Sequence, residues 1–344
     1  MIFYIYLFII IFLAIFYEKF KKKEHLEKVI FSLLFLIIAF RYRTGGDFRP
    51  YLQTFDRTSD LDFDEFKFFD YINHLSQSLG LDIFGVNLIL GFIFVLVLYL
   101  FLKKYFRNIY LGLVISYPVY VTIYSIGSIR QGMAITFFLV SLLFYGYYKK
   151  FLSIAVAVLF HFTSVIYFFI YIPYLFTKKK SRVKYLIFII FLLTIIFSFP
   201  LLEAYYRYYV IEDQYVSKGF FVRNIATFFC SLVFIYWYLK KKPFIHKNIL
   251  DPFFVISIVS ITIFPLGFYL STLVDRIMGY FLPLQIYVIY YLYETCSKNN
   301  KLKFISLISI YSFLTFFVWQ NFGQNPKAWT YELFFYPSKF WSFN

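Results

Sequence analysis

Phe151–Thr177 reads FLSIAVAVLFHFTSVIYFFIYIPYLFT and lies between Lys149-Lys150 and the basic run Lys178-Lys179-Lys180-Ser181-Arg182-Val183-Lys184. The stretch is too long for a comfortable single crossing of a hydrocarbon core about 30 Å thick, and too short for two full ones. Its reading sets the side of the membrane for every later loop. As a hairpin that returns to the side it entered from, it leaves 22 of the 34 Lys and Arg, but only 5 of the 18 Asp and Glu, in loops on one face. As a single crossing, it gives a basic split of 16 against 18. Cytoplasmic loops carry the excess of Lys and Arg. The pattern therefore predicts a hairpin at 151–177, with His161 near its tip and both chain termini extracytoplasmic.

Outward from that stretch the same alternation recurs. The chain is 61% hydrophobic over 344 residues, with a mean hydropathy of +0.71. Long apolar runs separated by short basic clusters read as an all-α polytopic integral membrane protein. Helices are expected at 2–17, 28–41, 84–102, 109–124, 132–148, 185–202, 220–239, 250–272, 277–296 and 304–319, about ten full transmembrane helices besides the hairpin. No internal repeat or soluble domain interrupts them, so 1–344 reads as a single multi-pass membrane domain. The net charge of +16 follows topology, which excludes nucleic acid as a partner. Cys230 and Cys296 lie in or beside apolar helices and imply no disulfide framework. Residues 2–17 lack a basic n-region and a small-residue cleavage site, so they read as a retained first helix.

Two outer segments carry more than a turn. In 41–83, Asp62-Phe63-Asp64-Glu65 makes a helix start, and Phe63, Phe66, Phe69, Ile72, Leu75 and Leu79 follow at helical spacing. That is an amphipathic helix lying on the outer face or packed over the bundle. The tail 320–344 is aromatic; Trp329, Tyr331 and Trp341 suit an outer interface, with stacking on sugar rings as the other use.

Four small constellations face outward: Arg41-Tyr42-Arg43-Thr44-Gly45-Gly46-Asp47-Phe48-Arg49-Pro50-Tyr51, Gly127-Ser128-Ile129-Arg130-Gln131-Gly132, His161-Phe162-Thr163-Ser164 and Asp275-Arg276-Ile277-Met278-Gly279-Tyr280. Arg130 is expected at a helix N-terminus, where a cation opposes the dipole unless an anion sits on the free backbone N–H groups. Arg276 is expected in the same relation to 277–296, and Arg223 in the first turn of 220–239. Either the three bind an anion such as phosphate, or they pair with Asp275, Glu212 or lipid headgroups. Arg41 and Arg43 follow a helix C-terminus, where a cation is welcome. Gly45-Gly46 permits a tight turn, leaving Asp47 as a general base or as the ion-pair partner of Arg41 or Arg43. His161 serves as base or donor, or is a structural histidine held by Thr163, Ser164 or a backbone carbonyl. Asp60-Leu61-Asp62-Phe63-Asp64 alternates carboxylates, which a solvated helix start explains as well as a divalent metal does. No metal site, zinc spacing, P-loop or nucleotide motif is predicted, and no cofactor is called for.

The residues Arg41-Tyr42-Arg43-Thr44-Gly45-Gly46-Asp47 with Tyr51 and Phe55, then Ser128-Ile129-Arg130-Gln131-Gly132, then Phe160-His161 with Ser164, then Asp275-Arg276 with Tyr280, resemble in order the signature of the EpsG-type membrane proteins, relatives of the Wzy polymerases of exopolysaccharide and O-antigen. The resemblance runs from about residue 1 to 337. It implies a glycosyltransferase of the bacterial cytoplasmic membrane that joins undecaprenyl-pyrophosphate-linked oligosaccharide repeat units at the extracytoplasmic face. Lipid pyrophosphate is the leaving group, so neither a nucleotide sugar nor its metal is needed. On this resemblance Arg41, Arg43, Arg130, Gln131, Arg223 and Arg276 would hold substrate and pyrophosphate, and Asp47 or His161 would act on the acceptor hydroxyl. Partners would be the lipid-linked oligosaccharide, membrane lipid, a chain-length regulator and a flippase. A glycan ligase of similar chemistry, a transporter or flippase of the lipid-linked sugar, and a structural subunit of an export complex are the competing readings. The expected pairing of discontinuous helices in two related halves is missing for the flippase.

Overall fold

The computed structural model describes residues 2–20, 23–61, 67–177, 217, 219–240, 247–322, 329 and 332–333. Its helices are α1 Ile2–Phe16, α2 Lys23–Ala39, α3 Phe48–Thr58, α4 Phe68–Ser78, α5 Ile83–Tyr105, α6 Ile109–Ser116, α7 Ile129–Leu143, α8 Tyr147–Phe160, α9 Ile166–Thr177, α10 Phe220–Leu239, α11 Lys247–Ile263, α12 Ser271–Gly279, α13 Leu282–Thr295 and α14 Lys298–Phe322. One departure from an all-α chain is a two-residue antiparallel ribbon. In it β1 Arg41–Tyr42 pairs with β2 Glu332–Leu333, Arg41 opposite Leu333.

Six helical segments among the described residues are long and apolar enough to cross a membrane: Ile2–Lys19, Ile83–Tyr105, Ile109–Gly127, Phe220–Leu239, Ile249–Phe268 and Lys298–Phe322. The expected helix 185–202 lies outside the described residues, as does most of the tail beyond 322. Other expected helices have different bounds, for local reasons. The run 277–296 is divided, because Pro283 has no N–H to offer the carbonyl of Gly279. Tyr280 and Phe281 instead bond three residues back, to Ile277 and Met278 at 3.0 and 2.9 Å. The run 250–272 turns into a tight Phe264–Phe268 coil at Pro265, for the same reason. Helix 132–148 is α7, and it ends at Leu143 ahead of a turn at Gly146.

The hairpin is present. α8 ends at Phe160, His161 is extended (φ −151°), Phe162–Val165 makes a tight turn, and α9 runs back. Phe151 lies 6.2 Å from Phe168 and 6.0 Å from Tyr171, ring to ring. In a continuous helix those residues would be about 25 Å or more apart.

The chain divides into two compact units. Unit 1 is residues 1–136 with 292–344, and unit 2 is 137–291. In unit 1, α1, α6 and α14 pack together and α2 packs on α5. Buried phenols tie helices to backbone: Tyr6 Oη donates to Ile30 O (3.1 Å) and Tyr117 Oη to Phe3 O (2.8 Å). Asn108 caps α6 by accepting from Leu111 N at 3.1 Å, and its amide donates to Ala14 O at 2.9 Å. Beyond α6 the chain is wound as a π-helix over Tyr117–Gly127. Pro118 cannot donate to the carbonyl of Val114, and Ser312 Oγ of α14 takes that acceptor at 2.9 Å. In unit 2, α10 packs on α11 and on α12. Phe138 stacks on Tyr167 at 4.0 Å, and Thr227 Oγ1 donates to Gln285 Oε1 at 2.8 Å.

The segment 41–83 divides the residues expected in one helix. Two helices, α3 and α4, occupy it; 62–66 lies outside the described residues. α4 does not bury the expected apolar stripe. Asp70, Asn73 and Ser76 are buried with Phe69, while Leu75 and Leu79 are 48% and 61% exposed.

Candidate functional site

In unit 1 the site is built where the Arg41–Tyr51 loop meets the end of the π-helix and the start of α7. Gly45 has φ +111°, and a Cβ there would run into the carbonyl of Ile126. Only glycine lets the two backbones approach so closely. Gly132 does the same one turn into α7, against the carbonyl of Tyr124, which gives the Arg130-Gln131-Gly132 run its third residue.

Arg41 is 1% exposed. Its Nη1 donates to Ser125 O at 2.7 Å and its Nη2 to Asn87 Oδ1 at 3.1 Å. Ser125 is two residues from the end of the π-helix, so the guanidinium sits at the negative end of that dipole. A cavity of about 10 Å³, room for roughly one water, lies beside Arg41, Asn87, Ser125 and Met133. Arg43, at φ +48°, is exposed, with its guanidinium 5.2 Å from the Tyr42 ring.

Asp47 stands at the start of α3, yet its carboxylate does not cap that helix. It accepts instead from Ser128 Oγ at 3.1 Å. Two residues on, Arg130 lies in the first turn of α7, as its position before an apolar run predicts. Its guanidinium carbon is 4.6 Å from the Phe69 ring and 5.5 Å from the Tyr51 ring. Its backbone N–H points to Tyr51 Oη at 3.4 Å. Arg130 Nε is buried and has no hydrogen-bond partner among the described residues. Burial, with the neighbouring Asp47 charge, pushes the Tyr51 phenol above its ordinary pKa, so it stays protonated. Gln131, next along α7, is buried. The result is a cation within 4.6 and 5.5 Å of two ring centres at a helix N-terminus, near a carboxylate that accepts from a serine hydroxyl. Such a cation is suited to an oxyanion.

In unit 2, His161 Nδ1 lies 2.6 Å from Tyr280 Oη and 2.8 Å from Thr163 Oγ1, and those two oxygens are 2.8 Å apart. Tyr280 is fully buried, and its carbonyl accepts from Tyr167 Oη at 2.9 Å. Thr163 is one of the partners anticipated for the histidine. Ser164 is another, and its buried hydroxyl has no partner among the described residues.

The other two arginines behave differently from Arg130. Arg223 does stand in the first turn of α10, and it clasps Asp275: Nε donates to Oδ1 at 3.1 Å and Nη2 to Oδ2. Ser217 Oγ and Asn224 Nδ2 complete the carboxylate's shell at 2.8 and 2.6 Å. Arg276 is not at a helix N-terminus. It lies in the last turn of α12, where the dipole favours a cation; the expectation failed because the 277–296 run is broken at Tyr280.

Sequence reading missed Asn87, Phe69, Ser217 and Asn224. Asn87 left a signal, as a lone amide in the apolar run of α5 must find an internal partner. Among the described residues no group of three His, Cys, Asp or Glu is placed to hold a metal ion.

The EpsG family model matches residues 28–336. Searches of curated proteins and of solved structures return no match. The family match spans most of the chain, including the Arg41–Tyr51 loop, Arg130, the His161 hairpin and Tyr280. The chain belongs to the EpsG family of multi-pass membrane proteins of polysaccharide biosynthesis.

Proposed function

We propose that the protein polymerises oligosaccharide repeat units carried on undecaprenyl pyrophosphate, at the extracytoplasmic face of the bacterial cytoplasmic membrane. The acceptor sugar hydroxyl attacks the anomeric carbon of the donor chain, and the bond from that carbon to the pyrophosphate oxygen breaks. The hydroxyl proton passes to a base, and lipid pyrophosphate departs with the bonding electrons. Negative charge therefore grows on the leaving pyrophosphate, where a fixed cation and helix N–H groups give most. The observation that carries the reading is Arg130: a first-turn arginine 4.6 Å from the Phe69 ring and 5.5 Å from the Tyr51 ring, with a buried Nε that finds no partner among the described residues.

In this reading Asp47 is the base. Its carboxylate accepts from Ser128 Oγ, two residues from Arg130. Arg41 supports the turn that carries Ser128, while Arg43 and Gln131 are the flanking substrate contacts. In unit 2, His161 is a hydrogen-bond donor to substrate oxygen through Nε2, and Arg276 is a further candidate cation. The charge bias across the loops supports a topology with both termini outside.

Cells lacking the protein provide the test. A polymerase defect accumulates single lipid-linked repeat units. Accumulation of long lipid-linked polymer would make the protein a ligase instead. Purified protein that moves lipid-linked sugar across vesicles without forming a glycosidic bond would make it a transporter.

A further inference from the structure

α4 is inside out for a helix packed over a water-exposed surface. Asp70, Asn73 and Ser76 face inward, and their polar groups are used there. Asp70 Oδ2 accepts from Lys67 N at 3.0 Å, Asn73 Nδ2 donates to Thr58 Oγ1 at 3.2 Å, and Ser76 Oγ lies 2.9 and 2.8 Å from Leu81 O and Asp82 O. Gln77 Nε2 donates to Phe55 O at 2.8 Å. Tyr71, His74, Leu75 and Ser78 are exposed on α4, and Leu79 follows as its exposed C-cap; the large apolar residues among them are Tyr71 at 41%, Leu75 at 48% and Leu79 at 61% exposure. Positions 71, 75 and 79 recur every four residues and form one stripe along the helix. In water that arrangement exposes apolar surface with no gain; against hydrocarbon it is the expected one.

Covalent continuity supplies the hydrocarbon. Leu79 is four residues from Ile83, the first residue of the membrane-length helix α5. Leu81 N also bonds back to Ser76 O at 2.9 Å, so the last turn of α4 is fixed at the mouth of α5. Further along, α5 exposes Phe92, Leu96 and Leu100, and α2, which packs on α5, exposes Val29, Leu33 and Leu36. α4 packs on α5, the helix that carries part of that apolar surface.

We propose that α4 lies in the outer membrane interface, with Leu75 and Leu79 against phospholipid acyl chains. Phe69, on the buried side of the same helix, then holds Arg130 at headgroup depth. This needs no assumption about catalysis.

The test uses the full chain carrying Cys230→Ser and Cys296→Ser, reconstituted in phosphatidylethanolamine/phosphatidylglycerol nanodiscs. Nitroxides are attached at Leu75→Cys or Leu79→Cys, with Asp56→Cys on the exposed side of α3 as the aqueous reference. The leucines are exposed, so the label is accommodated without repacking. Collision with oxygen, which partitions into lipid, is compared with collision with a water-soluble nickel chelate. The oxygen-to-nickel ratio at both leucines should exceed that at Asp56 by at least about threefold. A ratio equal to the Asp56 value would place α4 in water and overturn the proposal. Exclusion of both reagents would mean a protein cover, from this chain or a second copy, and would overturn it equally.

Discussion

Tyr280 Oη lies 2.6 Å from Nδ1 of His161, across 119 residues of sequence. A buried phenol must find an acceptor, and both Nδ1 and Thr163 Oγ1 lie within reach. If Nδ1 carried the proton, one of the two hydroxyl hydrogens would have to leave the triangle. With Nδ1 as acceptor, Tyr280 donates to Nδ1 and Thr163 to Tyr280, and all three groups are satisfied. The neutral ring then carries its proton on Nε2, as a donor. Nitrogen-15 spectra of the histidine-labelled protein should show an unprotonated Nδ1 for His161. Tyr280→Phe should lower polymerisation about tenfold with normal protein levels, and Tyr280→Phe with Thr163→Val more. A protonated Nδ1 in the wild-type protein would remove this role.

Arg130 and Arg41 separate anion binding from architecture. Arg130→Ala should abolish polymer, by about a hundredfold or more in rate, while leaving folded protein in detergent extracts. Arg130→Lys should also be impaired, since an ammonium lacks the planar fork that offers two parallel N–H groups to a phosphate. Full-length polymer from both variants would sink the phosphate role. Phe69→Ala keeps the charge and loses its platform. In the protein that stays folded it should raise the apparent KM severalfold, in line with a cation–π contact of about 0.5–1 kcal/mol, beside a loss of stability from the buried ring.

Arg41→Ala should instead cost stability. It strands the carbonyl of Ser125 and the amide oxygen of Asn87 in a buried site, at roughly 1–3 kcal/mol for each unsatisfied group. Thermal unfolding followed by size-exclusion in detergent should show a clear loss for Arg41→Ala and little change for Arg130→Ala. Unchanged melting with lost activity would return Arg41 to the substrate.

Charge counting found the hairpin because topology depends on where lysines and arginines lie, and that is written locally in the loops. Hydropathy put Arg130 at a helix start, where an apolar run begins after Gly127-Ser128. Hydropathy did not find the break at Tyr280, since the residues on either side are equally apolar and one proline decides the matter. Arg276 was misplaced with it. Periodicity put Phe69, Leu75 and Leu79 on one stripe, whereas in α4 Phe69 is buried and Leu75 and Leu79 are exposed. What turns Asp70, Asn73 and Ser76 inward is a set of hydrogen bonds to Lys67, Thr58, Leu81 and Asp82. Such partners are invisible to periodicity.

Arg223 and Asp275 form the last test. A half-buried carboxylate that accepts four hydrogen bonds, two of them from one guanidinium, is expected to lock α10 to α12. Removing one partner leaves the other charge uncompensated, whereas removing both does not. Arg223→Met and Asp275→Leu should each lower the melting temperature, and the double variant should recover part of the loss. Its coupling should be about 1–3 kcal/mol. If Arg223→Met melts like the wild type yet makes no polymer, Arg223 serves the substrate, and Asp275 is its orienting partner rather than its counter-ion.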